Sequence, residues 1–466
     1  MSSARQTEAP VSAGDERADP RRALVAALES VERYDVIVIG GGATGLGVAV
    51  DAASRGFSVA LIEATDFAKG TSSRATKLLH GGVRYLAQGD LGLVREALHE
   101  RSTLLRNAPH LARPLPFVMP VYGGRGRLLH KPLFGAGLVL YDLMAGSAGL
   151  GRTGFLSRAA TLTRMPGVRP SNLSGAVRYW DGQFDDARLA IALARTAADL
   201  GARLLNHCRA TRLLRDGDRI GGVVATDVES GRGIALRGRC VINAAGVWVD
   251  AIRQLDHPGE PDIVAPSQGV HIVVDREFLP GREALLVPRT EDGRVLFAVP
   301  WLGKVILGTT DTPRNDLAAE PRAFPEETSF ILREAARYLA KAPTRADVRS
   351  IWVGLRPLVR PPENRAGETK ALSREHAVLV SHSGLVTVTG GKWTTYRSMA
   401  EDVLEQCFER RLIERRGPCQ TAGLALHGAC QDDAHALTEP PGPRLYGSDA
   451  PRLAALPGAA CALGGG

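Results

Sequence analysis

Gly40, Gly42 and Gly45 stand in the spacing G-x-G-x-x-G, and an acid, Glu63, follows 18 residues after the last of them. That set of residue types can hold a dinucleotide. Gly40 allows a tight turn, Gly42 lets the backbone approach a pyrophosphate, and Gly45 permits close packing of a helix on a strand. A helix beginning at this point offers free N–H groups and the positive end of its dipole to the phosphates. Glu63 can accept hydrogen bonds from a ribose diol. The competing account is a glycine-rich turn with an incidental acid, and the flanking residues decide against it. Asp35-Val-Ile-Val-Ile39 is the short continuous apolar run of a buried parallel strand. Leu46 to Ser54 reads as a small-residue helix stopped by Gly56, and Ser58 to Ile62 as a second strand. Together they make a complete βαβ unit.

A second fingerprint would indicate a second dinucleotide. Gly135-x-Gly137 and Gly231-x-Gly233 both lack the third glycine and the strand–helix context, so one dinucleotide is expected. Val386-Thr-Val-Thr-Gly-Gly391, followed by a helix, favours FAD over NAD. A flavin needs a second helix start near its pyrimidine end, where the reduced ring carries negative charge. Cys240-Val-Ile-Asn-Ala-Ala-Gly246 likewise ends a strand in small residues, with Ala245 and Gly246 where backbone passes close to a cofactor.

Several longer motifs are more specific than the glycine fingerprint. They are Thr71-Ser-Ser-Arg-Ala-Thr-Lys-Leu-Leu-His-Gly-Gly-Val-Arg-Tyr-Leu86, Asp181-Gly-Gln-Phe-Asp-Asp-Ala-Arg-Leu189 and Gly269-Val-His-Ile-Val-Val274. Gly308-Thr-Thr-Asp-Thr312, Gly354-Leu-Arg-Pro-Leu358, Ser373-Arg-Glu-His376 and Gly390-Gly-Lys-Trp-Thr-Thr-Tyr-Arg397 complete the set. From about Tyr34 to Ala400 the chain closely resembles the FAD-dependent, respiratory glycerol-3-phosphate dehydrogenase family. The resemblance implies an α/β fold of two domains: a Rossmann-like FAD-binding domain and a discontinuous antiparallel-sheet substrate domain, related to D-amino-acid oxidase and glutathione reductase. It implies that Arg84, Tyr85, His271, Arg356, Arg374 and Lys392 stand where the family's substrate pocket stands. FAD, held noncovalently, is expected against Gly40, Gly42, Gly45, Glu63, Thr71, Ser72, Ser73, Lys77, His80, Ala245, Gly246, Gly391, Lys392 and Thr394. Three departures stand out. Gln268 lies where a basic residue is common, and Thr76 replaces a common Ser. Only 66 residues follow Ala400, where the family carries a helical domain of roughly a hundred.

The implied reaction is oxidation of sn-glycerol 3-phosphate to dihydroxyacetone phosphate, with hydride transfer to flavin N5 and electrons passed to a membrane quinone. A phosphate dianion calls for fixed positive charge, and Arg holds phosphate oxygens bidentately. Arg356, with Pro357 restraining the backbone after it, and Arg374 are the expected phosphate ligands; Arg84 and Lys392 come second. In a chain with 51 Arg and 7 Lys, any single Arg is an ordinary surface residue unless it lies in one of these motifs. His271, with an ordinary pKa near 6.5, is the leading group to take the hydroxyl proton. Arg356, a water, or a purely structural histidine remain alternatives. An oxygen-using oxidase and a flavin-binding protein with impaired turnover are the competing functions.

The remaining sequence sets the frame. The chain has 466 residues, 44% of them apolar, a net charge of +8 and a pI near 9.4. That is enough to bury a large core without disulfides or a structural metal. The basic balance fits an anionic substrate or membrane surface, and no aromatic–basic interleaving speaks for nucleic acid. None of the six cysteines forms a C-x-x-C pair, and no metal site is expected. The Asp185-Asp186 pair reads as the cap of a helix from Ala187. No leader peptide and no run of about 18 apolar residues is visible. Arg125, Arg127, His130 and Lys131 precede the apolar stretch Leu133 to Leu143, a combination able to lie on an anionic bilayer. The expected location is cytoplasmic, with peripheral contact at the inner face of the cell membrane and a homodimer left open. The expected segments are a flexible tail over 1–33 with room for a short helix at Arg22 to Val31, an FAD domain over 34–90, 176–255 and 366–410, a substrate domain over 91–175 and 256–365, and an abbreviated end over 411–466.

Overall fold

The computed structural model describes residues 19–80, 90–123, 137, 141–360, 376–430 and 436–459. Every residue of the strands Tyr34–Ile39 and Val59–Ile62 is buried, as their unbroken apolar runs require of a parallel sheet covered on both faces. They pair in parallel, and Tyr34–Ile39 pairs in parallel with Gly233–Asn243 on its other side. The order across this first sheet is His376–Val380, Val386–Gly390, Gly233–Asn243, Tyr34–Ile39, Val59–Ile62 and Arg203–Leu205. Cys208–Asp216 and Arg219–Asp227 extend it as an antiparallel ribbon on Gly233–Asn243.

Helices Ala43–Ser54, Asp186–Asp199 and Tyr396–Glu409 cover one face, joining Leu46, Leu189 and Val403 to Val36, Val38, Leu61 and Ile242. On the opposite face Ile37, Ile39 and Val241 meet Leu213 and Val223 of the ribbon. Val25 and Leu28 join that second core from the helix Pro20–Glu29. The short helix expected at Arg22 to Val31 is thus present two residues earlier, and it is packed on the sheet rather than free in a flexible tail. Asp19 caps the helix, and Arg21 binds the Asp227 carboxylate and the carbonyls of Asn206 and His207. The bond from Arg21 pulls the Asp227 carboxyl down to about 2.

The second sheet has ten described strands. Its order is Thr312–Pro313, Val264–Asp275, Lys304–Gly308, Leu296–Trp301, Ala284–Val287, Ala112–Tyr122, Leu173–Phe184 and Leu78–Leu79. Ser350–Val359 and Gly154–Ser157 pair at Val264–Asp275 and Leu173–Phe184. Helix Pro325–Tyr338 backs this sheet through Ile331 and Ala335. The proline-rich stretch Ala112–Tyr122 is an 11-residue strand of this sheet. Pro114, Pro116 and Pro120 share one parity opposite Gly182, Trp180 and Ala176. Their missing N–H groups fall on one edge, and the other edge is left free to pair.

Leu173–Phe184 belongs to the second sheet, so the segment expected to rejoin the FAD domain at residue 176 does so only after Phe184. Leu78–Leu79 also crosses to it. The helix expected from Ala187 begins at Asp186, with Asp185 accepting from the Arg188 N–H at 3.1 Å. Among the described residues no helix is long and apolar enough to cross a membrane, and no cluster of ligating side chains could hold a metal ion.

Candidate active site

The two sheets meet around a cavity of about 770 Å³, within the size range of ligand sites. At one end lies the glycine turn. Gly40 has φ +112°, and a Cβ there would stand 2.5 Å from the Ala244 carbonyl oxygen. A Cβ on Gly45 would stand 1.9 Å from the Gly40 oxygen, so the helix lies directly on the turn. Gly42 caps Ala43–Ser54 without a side chain, which leaves the first-turn N–H groups to a ligand or to neighbours. Ser72 Oγ accepts the Ala43 N–H at 2.9 Å. Glu63 Oε2 accepts the Gly41 N–H at 2.7 Å, and Oε1 accepts from the Thr65 backbone and hydroxyl. The acid thus holds the glycine turn in shape.

At the other end Gly390 and Gly391 carry φ +81° and +75° ahead of the short helix Trp393–Thr395. A Cβ on Gly391 would strike the Met399 sulfur at 2.3 Å. Trp393 Nε1 donates to the Ser72 carbonyl at 2.8 Å, tying the two helix starts together. Ala245, Gly246, Thr71, Lys392 and Thr394 line the same space. Thr71 Oγ1 donates to the Leu355 carbonyl at 2.5 Å, which joins the flavin-side loop to the second sheet.

Two calls on this segment fall away from the cavity wall. Ser73 contributes its carbonyl to Lys77 Nζ at 2.8 Å. Lys77 is buried and bonded to Asp186, with its ammonium 5.3 Å from the Trp352 ring centre. Burial pushes the Asp186 carboxyl up to about 6, against the opposing pull of Lys77. His80 does line the cavity, packed on Phe297 at 5.2 Å.

The second sheet supplies the rest of the wall. His271 sits in Val264–Asp275 opposite Trp352, and the two rings stack at 5.2 Å. Its Nε2 lies 2.9 Å from Thr76 Oγ1, and its buried Nδ1 has no partner. Burial first, and then the charge of Arg356, hold the imidazole well below its ordinary range, so it is neutral. Arg356 packs under Gly269, where a Cβ would stand 2.3 Å from its Nη2. Nη1 donates to the Gln268 carbonyl at 3.2 Å; Nη2 donates to Thr309 Oγ1 at 3.1 Å and the Thr310 carbonyl at 2.9 Å. Asp311 lies 3.4 Å away as its counter-ion. His271, Arg356 and Lys392 therefore share one cavity with the glycine turn.

Arg84, Tyr85 and Arg374 lie outside the described residues, as do Arg125, Arg127, His130 and Lys131 and most of Leu133 to Leu143. Residue-type reasoning passed over Arg74 and Trp248, which also line the cavity. Arg74 donates to the Val353 carbonyl and to Glu320, and its place inside the Thr71–Leu86 motif was the available signal.

A glycine cradle at an uncapped helix start, a second glycine turn across the cavity and cations along the wall define a flavin-dependent oxidoreductase. The family model for FAD-dependent oxidoreductases of the D-amino-acid oxidase type matches residues 35–397, and the chain belongs to that family. Within it, the resemblance to the FAD-dependent glycerol-3-phosphate dehydrogenases holds. The chain is 44% identical over 423 residues to the mitochondrial glycerol-3-phosphate dehydrogenase of Homo sapiens, covering 88% of this chain and 57% of that protein. The Schizosaccharomyces pombe counterpart is 41% identical over 433 residues, covering 88% and 66%. The glycerol-3-phosphate dehydrogenase of Bacillus halodurans, solved with FAD, matches with TM-score 0.71 and 33% identity, over 88% of this chain and 71% of that one. The L-α-glycerophosphate oxidase of Mycoplasma pneumoniae, also with FAD bound, shares the fold at TM-score 0.63 and 18% identity, over 84% and 98%. FAD is the cofactor of this fold, and both glycine turns here fit it. The chain spans 57% of the length of the mammalian relatives it matches.

Proposed function

We propose that this chain oxidises sn-glycerol 3-phosphate to dihydroxyacetone phosphate and passes the electrons to a membrane quinone. The observation that supports it is the pairing, in one cavity, of a neutral buried His271 with the forked cation of Arg356. The first sheet and its helices carry FAD in this reading, and the second sheet roofs the substrate. Gly40 to Gly45, Ser72 and Glu63 hold the pyrophosphate and ribose. Ala245, Gly246, Thr71, Gly391, Lys392 and Thr394 hold the flavin end, without a covalent link. When bound, FAD supplies the acceptor for the hydride leaving the alcohol carbon.

The protein's share is binding, orientation and proton transfer. Arg356 presents its guanidinium to the phosphate dianion, with Arg374 as its expected partner. Lys392 and Arg84 stand second, toward the hydroxyls, with Tyr85. A base must be unprotonated to act, and His271 is held so by its burial. Thr76 Oγ1 fixes the ring through Nε2, so the hydroxyl proton is received by an oriented imidazole. The proposed setting is the inner face of a membrane, reached by peripheral contact, with a homodimer as the candidate assembly.

The test is an anaerobic titration of the purified flavoprotein with glycerol 3-phosphate, followed by flavin absorbance. Bleaching at stoichiometric substrate supports the reading. A flavin that stays oxidised while bound refutes it. Turnover with a soluble quinone, set against peroxide yield in air, then separates a dehydrogenase from an oxidase. Acid precipitation should release all the FAD to the supernatant.

A further inference from the structure

Arg356 is held by backbone and hydroxyl oxygens from two elements, and those elements are themselves held by one buried acid. Glu327, in the first turn of Pro325–Tyr338, is 6% exposed. Its Oε1 accepts from Thr310 Oγ1 at 2.9 Å and Thr312 Oγ1 at 2.6 Å. Its Oε2 accepts from Gln268 Nε2 at 2.6 Å and the Phe324 N–H at 2.9 Å. Gln268 and Thr310 are the two residues whose carbonyls receive the Arg356 guanidinium. Thr310 Oγ1 also accepts the Val270 N–H at 3.0 Å, one residue from His271. Arg314 completes the shell by donating to Gln268 Oε1 at 2.5 Å.

A carboxylate taken out of water needs this many donors to be tolerated. Here the donors are the side chains that set where the Arg356 cradle lies. We propose that Glu327 is a positioning residue for anion recognition: it locks Gln268 and Thr310 so that the Arg356 fork faces the phosphate of the substrate. It touches neither substrate nor flavin and acts only through Arg356. The inference rests on the reading of Arg356 as the phosphate ligand given above.

Replacing Glu327 by Gln puts an NH₂ either where Gln268 Nε2 and the Phe324 N–H donate or where the Thr310 and Thr312 hydroxyls donate, so either the N–H arm releases or both hydroxyls must turn round to accept and send their protons elsewhere. In the FAD-loaded full chain, Glu327→Gln should raise KM for glycerol 3-phosphate about tenfold or more, with kcat within about threefold. FAD content and Tm should stay near wild type. Arg356→Lys should raise KM on its own, and adding Glu327→Gln to it should change KM by less than about twofold, because residues acting as one unit are not additive. Thr310→Val, which keeps the carbonyl to Arg356 and removes one arm of the shell, gives the same test if Glu327→Gln does not fold. A folded variant with unchanged KM overturns the inference. So do additive effects in the double variant, or equal losses in kcat and FAD content. If Arg356→Lys leaves KM unchanged, the phosphate assignment itself fails, and the role of Glu327 falls with it.

Discussion

The methyl group missing at Gly45 marks how little space this site leaves at the scale of single residues. A Cβ there meets the Gly40 oxygen at 1.9 Å, backbone against backbone, and nothing flexible can yield. Gly45→Ala should therefore be recovered without flavin or not at all, read from the ratio of flavin to protein absorbance. His271 makes a different kind of prediction. Its replacement by Asn should leave FAD bound and lower kcat by about 10²- to 10⁴-fold, the usual worth of a placed base. Retention of more than a tenth of the wild-type kcat would remove His271 from that role. The glycines and Glu63 were legible from residue type and spacing; His271 and Arg356 were reached only through the motifs that carry the family resemblance. The second task of Glu63, bonding the Gly41 N–H, was not, because spacing places an acid near a ribose and says nothing of where its lone pairs go. Lys77 misled for a related reason. Its position in a flavin-facing motif was legible, but the buried Asp186 that claims its ammonium lies 109 residues away.

Between elements, buried ion pairs do the joining. Glu100 of helix Leu91–Asn107 receives Arg397 of helix Tyr396–Glu409 through Nε at 2.9 and 3.0 Å and Nη2 at 2.7 Å. Both side chains are at most 10% exposed. The hydrogen bonds and charge of Glu100 outweigh burial and hold the guanidinium further above its ordinary range. Glu100→Gln leaves that cation with Glu401 as its one carboxylate, beside Thr421 Oγ1 and Cys419 Sγ, and should cost about 3–5 kcal/mol in denaturant unfolding. A loss under about 1 kcal/mol would make the pair incidental. Pattern reasoning found the second of these as the helix that follows Gly391. It missed Leu173–Phe184 as a strand. Asp181 and Gln183 are polar yet buried there, paired to Arg101 and the Pro300 carbonyl, so the alternation that marks a strand is broken. Ser350–Val359 was seen only as a motif, because its side chains are neither cleanly buried nor exposed.

For the molecule as a whole, two buried histidines set the response to acid. Burial, reinforced by Arg113, drops His110 to about 4, and His271 lies well below its ordinary value. The unfolded chain protonates both near 6.5. Between that pH and the folded values the unfolded state binds more protons, so stability falls as pH falls. Above 6.5 these groups contribute no slope. Asp186, raised to about 6, works in the opposite sense below that pH. Two histidines against one carboxyl leave a net fall of the unfolding temperature from pH 6.5 to 4, and His110→Gln should flatten part of that fall; an unchanged slope would clear His110. The architecture of two sheets was legible from the resemblance, and only its first βαβ unit from the strand and helix patterns. The exact course of the chain between the sheets was not. It runs from the first sheet to the second at Leu78, back after Phe184, across again by Val264 and home at His376. Four passages stitch one seam, so the halves are not separable modules. No single exchange of a contiguous segment between relatives can swap one substrate roof for another. A new specificity has to arise by substitution in place, residue by residue, on a sheet whose strands come from two separate stretches of the chain.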